Sequence, residues 1–247
     1  MTMTDYRART RTPLIVGSGN VRERIITTPN LARVHVAGMC RATFSVDPDF
    51  HDDITLRVRA DDNVLGRVQA RVRQGVIEIG LEPGAYTDLS ELSVTARVGC
   101  VRALASSGSA HVLLRNACGE SVTLSSCGAS HLHARGSART WRIEATGNSH
   151  VRVELAQAER VELAVADASE AALHGAADLF VLNASGAARV RATTPSCTTN
   201  HARVELAGMS SARVAARRSV RGRVQFPSQL MVACPGALEI SGAYRTE

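Results

Sequence analysis

Three histidines recur at nearly equal intervals along this chain: His111, His131 and His150. A fourth, His133, lies two residues beyond His131. Imidazoles gathered in one patch can chelate a transition metal. Zinc, however, takes its ligands tetrahedrally, and its histidines usually lean on a carboxylate. Glu170 is the one acidic residue spaced to serve in that way. The alternative is a straight column of solvated imidazoles, and we assign no metal ligand, cofactor or catalytic residue from the sequence.

Other residues that could do chemistry have structural explanations. Glycoside hydrolysis needs paired carboxylates. Asp61 and Asp62 are adjacent. Along a strand they would point to opposite faces, and in a turn they would bond backbone amides. Asp167 and Asp178 are expected in turns, while Glu154, Glu162 and Glu205 interleave with arginines on an outer surface. No GxSxG, HExxH or phosphate-cradling loop occurs. The chain is therefore expected not to be an enzyme. The six cysteines (Cys40, Cys100, Cys118, Cys127, Cys197, Cys234) include no CxxC pair and no zinc spacing. They are expected as reduced thiols, several of them buried.

The net charge is +6, and all 29 basic residues are arginine. Arg217, Arg218, Arg221 and Arg223 fall within seven residues. Such a cluster can contact an anionic partner, or it can be a solvated turn between the last repeat and a terminal cap, the reading adopted here. Aromatics are only 3% of the chain. Bases find little to stack on, so a nucleic-acid partner is not expected.

The elements that position these residues come from a repeat of about twenty residues. ALASSGSAHVLL (103–114), TLSSCGASHLHA (123–134), RIEATGNSHVRV (142–153), ELAVADASEAAL (162–173), VLNASGAARVRA (181–192) and ELAGMSSARVAA (205–216) are variants of one phrase. Ala110, Ser130, Ser149, Ser169, Ala188 and Ala212 serve as anchors, at spacings of 20, 19, 20, 19 and 24. Six before each anchor stands an aliphatic residue: Leu104, Leu124, Ile143, Leu163, Leu182 and Leu206. Positions two and four after are apolar, and the position one after is polar. That is the period of a strand, not of a helix. Gly108, Gly128, Gly147 and Gly186, two before the anchor, mark turns.

A twenty-residue unit of short strands cannot bury its apolar face alone, but stacked units can. The expected fold is all-β: a β-solenoid, most simply a parallel β-helix, with counterpart strands paired ~4.8 Å apart in successive coils. A β-propeller would need blades of roughly 40–50 residues. Residues 1–13 read as an N-terminal arm and 14–218 as the solenoid, less regular over 14–99 and regular over 100–218. Residues 219–247 read as a C-terminal coil or cap, with Pro227 and Pro235. No stretch approaches ~18 consecutive apolar residues. The opening MTMTDYRARTRTP has no apolar core segment, so the chain is expected to be cytoplasmic.

The N-terminal third alternates too, and Gly75 falls between two alternating runs. GSGNVRERIITTPNLARVHVAG (17–38), RVRADDNVLGRVQARVRQGVIEIGL (57–81) and the serial SGSA-like turns from 107 resemble the family described as putative auto-transporter adhesin, head GIN domain (DUF2807). The resemblance covers roughly residues 14–216. It implies a right-handed parallel β-helix with the N-terminal strands as early coils, no established catalytic residues, and surface adhesion. Family members are often exported, and their turns often end in Asp where this chain has His111, His131 and His150. Two non-enzymatic functions are then expected: a scaffold that presents repeated surface and self-associates, or an adhesin-like module for a glycan or a protein. Self-association follows if the solenoid's N-terminal end lacks a cap, with Arg7, Arg9 and Arg11 as a possible charge block.

Overall fold

Alternation is realised as strands along nearly the whole chain. A computed structural model describes residues 13–192 and 197–246. In the regular region each coil carries two strands joined by a tight turn. Ala103–Ser106 leads into His111–Ala117, Ser121–Ser126 into His131–Gly136, and Thr140–Ala145 into His150–Leu155. First strands pair in parallel with first strands of the next coil, and second with second. Two parallel sheets result, one built from each set of strands. Together they form a β-solenoid of about seven turns.

The inward columns are those expected from the repeat. Leu104, Leu124, Ile143, Leu163 and Leu182 stack in register, each at most 1% exposed. The sixth repeat corrects the anchor assignment. Arg189 lies opposite Ser211, so Ala188 is matched by Ser210 and not by Ala212. Val204, not Leu206, therefore continues the aliphatic column above Leu182. This coil is two to three residues longer than its predecessors. In the corrected register Gly208 regains its place two before the anchor.

The anchors turn the corner inside the core. Ser130, Ser149, Ser169 and Ser210 are buried. Ser130 Oγ lies 2.8 Å from Ser126 Oγ and 3.1 Å from Ser106 Oγ, and Ser149 Oγ lies 3.3 Å from Ser169 Oγ. The hydroxyls thus satisfy one another from rung to rung, as burial requires. Outside this corner the turn glycines have positive φ, and a Cβ on Gly128 would fall 2.9 Å from the Gly108 carbonyl oxygen. Asp167 takes the same place with φ 61°, and its carboxylate accepts the Gly147 N–H at 2.9 Å.

The N-terminal third departs from simple early coils. Val76–Leu81 and Leu92–Val98 form one rung, and Arg33–Val36 and Arg41–Val46 form the next. The latter pair then lies directly against Ala103–Ser106 and His111–Ala117. Order in space is thus not order in the chain. Three further strands run antiparallel: Val21–Thr28 on Ile54–Asp61, Ile54–Asp61 on Leu92–Val98, and Val68–Arg73 on Val76–Leu81. The last pair is a hairpin closed by Gln74 and Gly75, both with positive φ, the backbone of a type I′ turn. These strands cover the N-terminal end that the sequence left uncapped. Val21–Thr28, at the edge, carries Arg22, Glu23 and Arg24, which blunt it against further pairing. Arg7, Arg9 and Arg11 lie outside the described residues.

At the other end regular pairing continues. Gln229–Ala233 lies on Ser211–Val224 in one sheet and Ala237–Ser241 in the other, and Tyr244–Thr246 follows on Gln229–Ala233. The arginine cluster 217–223 is not a turn. It belongs to the strand Ser211–Val224, where burial of Ala216, Val220 and Val224 aims the arginines outward. Asp178, expected in a turn, likewise lies within the strand Glu170–Ala184 and accepts a hydrogen bond from the Asn200 amide at 2.6 Å.

Candidate functional site

The second sheet turns two columns of side chains to the outside. Parallel, in-register pairing places equivalent residues of successive coils directly above one another. One column reads Arg41, His111, His131, His150, Glu170 and Arg189. The other, two residues on, reads Thr43, Leu113, His133, Arg152, Ala172 and Arg191. Between and around them runs an open groove of about 590 Å³ crossing all six rungs. Four arginines and four histidines line it, against one acid.

The histidines expected as a column form one. Ring centroids of His111 and His131 are 4.5 Å apart, and those of His131 and His150 are 4.7 Å apart. The stack is straight. Among the described residues no group of three or more His, Cys, Asp or Glu side chains is gathered to hold a metal ion. The column continues into charge: His150 Nδ1 lies 3.6 Å from the Glu170 carboxylate, which accepts a hydrogen bond from Arg189 at 3.0 Å. His133 instead meets Glu154 at 3.1 Å, and Arg152 donates to the same oxygen at 3.1 Å. The His131 imidazole is held below the ordinary histidine range. Burial is the main cause, and the neighbouring His111 and His150 add like charge.

Arg41 was not legible as part of this site. It stands one rung below His111 although the chain separates them widely, because the 33–46 rung is inserted against the 103–117 rung. Glu154 as a partner of His133 was equally hidden. The signal that could have found both is the one-rung register itself, extended beyond the regular repeats.

The remaining candidates are structural. Asp61 is fully buried, and its carboxylate accepts the N–H groups of Gly19 at 2.8 Å and Ser90 at 2.9 Å. Burial opposes its charge, but these backbone donors outweigh that and hold its pKa below the usual carboxylate range. Asp62 accepts from Ser18 Oγ at 2.6 Å and Asn20 Nδ2 at 2.9 Å. The pair pins the 17–20 loop. All six cysteines are free thiols. Burial pushes Cys40 up to about 12 and Cys197 up to about 11, so neither offers a thiolate near neutrality. Among the described residues no helix is long and apolar enough to cross a membrane.

Fold and face together define a class: a β-solenoid whose outward columns present a long basic groove. The chain belongs to the family described as "Putative auto-transporter adhesin, head GIN domain", whose model matches residues 42–235. Solved structures share the fold at low identity. A protein of Parabacteroides distasonis titled a putative adhesin superposes with a TM-score of 0.84 at 15% identity, covering 95% of this chain and 98% of that one. A putative adhesin of Parabacteroides merdae gives 0.82 at 12%, covering 95% and 97%. A protein of Parabacteroides distasonis titled a putative lipid binding protein gives 0.76 at 14%, covering 95% and 100%. No curated protein sequence matches the chain significantly.

Proposed function

We propose that this protein is a non-enzymatic binding module of the adhesin-like type, which engages a glycan or a protein along the outer face of its second sheet. The observation that carries the reading is the groove crossing six rungs from Arg41 to Arg191. Such a track suits an extended ligand that repeats as the solenoid does. Membership in an adhesin-named family supports it, as does the engagement of Asp61 and Asp62 with backbone and loop donors, which occupies that carboxylate pair. A glycan and peptide array probed with the purified protein tests this. We expect saturable capture of an extended ligand, lost on Arg152→Glu, with the ligand recovered intact. Absence of capture across the array, or cleavage of the captured chain, would refute it.

Self-association as a scaffold is the second reading. It is favoured by Ala237–Ser241 and Tyr244–Thr246, each of which pairs with one neighbour only among the described residues. Unpaired edges recruit further strands unless charge or bulges prevent it. Sedimentation over a hundredfold range of concentration is expected to show growth into dimers or larger species. A single monomeric species throughout, at low and high salt alike, removes this reading.

A further inference from the structure

Arginines on the two outer faces are paired unevenly. On the first sheet Arg142 meets Glu162 at 3.2 Å, Arg203 meets Glu205 at 3.5 Å and Arg221 meets Glu239 at 3.1 Å, while Arg33 and Arg223 make no ion pair among the described residues. In the groove of the second sheet, Arg152 and Arg189 have acidic partners, but Arg41 and Arg191 make no ion pair among the described residues. These two stand at opposite ends of the groove, with the stacked imidazoles between them. Five rung steps at ~4.8 Å separate their coils, a track of about 24 Å.

Resting on the binding-module reading above, we propose that this groove is the site for a linear carboxylate-bearing polysaccharide. Guanidinium groups fit carboxylates with two parallel hydrogen bonds. An extended pyranose unit is close in length to one rung, so successive acidic sugars meet successive side chains of the column. The ring faces of the three stacked histidines are turned toward one another, and Leu113 and Ala172 in the second column are aliphatic, so the groove offers bases no open aromatic face. Its charge is spread along a line, as a polymer carries it.

The imidazoles make the site sensitive to pH. His131 faces His111 and Arg115 on one neighbouring strand, His150, Arg152 and Glu154 on the other, and shares its own strand with His133 and Arg135. Protonation adds positive charge to the groove. A polyuronate stays ionised down to about pH 4, and imidazoles are the groove's groups that gain protons as pH falls below neutrality. Affinity therefore rises as pH falls from 8 to 6.

Isothermal titration with polygalacturonate decides the matter, with fully methyl-esterified polygalacturonate as the same backbone without charge. We expect saturable binding of the acid form only, tighter at pH 6 than at pH 8. The double variant Arg41→Glu/Arg191→Glu should weaken it at least tenfold, with an unchanged melting curve. Arg33→Glu, a reversal on the opposite face, should weaken it less than twofold. Equal losses in R33E and the groove variant, equal binding of the esterified polymer, or no gain at pH 6 would overturn the proposal. So would tighter binding to duplex DNA or to phosphatidylglycerol vesicles than to the polyuronate. Capture of a neutral glycan without polygalacturonate would overturn it while leaving the binding-module reading intact, whereas no capture of any glycan or peptide would overturn both.

Discussion

Leu163→Asp is expected to lower the melting temperature by at least about 10 °C. Leu163 sits in the middle of the aliphatic column, with Ile143 below and Leu182 above, and is 1% exposed. Removing the side chain alone costs about 2–5 kcal/mol in comparable cores. The carboxylate adds the penalty of an unpaired buried charge, which brings the total to at least about 5 kcal/mol. At roughly 2–4 °C per kcal/mol for a chain of this size the loss reaches or exceeds 10 °C. In a solenoid each coil is held mainly by its neighbours, so one failed rung also uncouples the coils on either side. The introduced carboxyl is neutral in acid, so the deficit should narrow as pH falls. Arg152→Ala is the comparison. Its side chain is more than half exposed beside Glu154, and such a loss is worth within about 0.5 kcal/mol. Thermal denaturation followed by circular dichroism measures both, and similar shifts would refute the register.

Gly175→Ala is expected to cost at least about 3 kcal/mol. Its φ is 116°, where side-chain-bearing residues are strained by about 1–3 kcal/mol. An added Cβ would also stand 1.8 Å from the Leu155 carbonyl oxygen of the adjacent coil. No side-chain rotation relieves a clash with backbone, so the coils must part. Gly75→Ala separates the two causes. Gly75 has φ 75° in the hairpin turn, but nothing lies within 4 Å of its added Cβ. It should cost about 1–2 kcal/mol, from the backbone conformation alone. Denaturant titration of the two variants measures the difference. Equal costs would show that coil-to-coil approach at Gly175 contributes nothing.

Most of the fold was legible because its signals are local. Apolar residues at two and four after the anchor declare strands. The repeat declares stacking, and the recurring glycine declares the turn. The histidine column followed directly, since residues one repeat apart must lie one rung apart. Errors came where a local signal was diluted. The sixth coil is longer than the others; Ala212 and Ser210 both have an aliphatic residue six before, Leu206 and Val204, but only Ser210 has a glycine two before. Gly208 was the better guide, because the turn tolerates few residues while the core accepts many. Arg217 and Arg218 looked like a turn because charge was weighed above the alternation of Ala216, Val220 and Val224.

By itself the sequence determined the architecture: stacked β-coils, small aliphatic ladders within and a polar column of His111, His131 and His150 without. The family model over residues 42–235 agrees with that reading. Tertiary structure alone decided how the N-terminal third is threaded. Pairing between strands is a long-range choice, and Arg41–Val46 carries nothing in its own residues that names His111–Ala117 as its neighbour. The same choice closed the N-terminal end with antiparallel strands and put Arg41 at the mouth of the groove. It also paired Arg152 and Arg189 with acids while leaving Arg41 and Arg191, at the two ends of the groove, without an ion pair among the described residues. Composition counts charges, but only packing decides which of them meet.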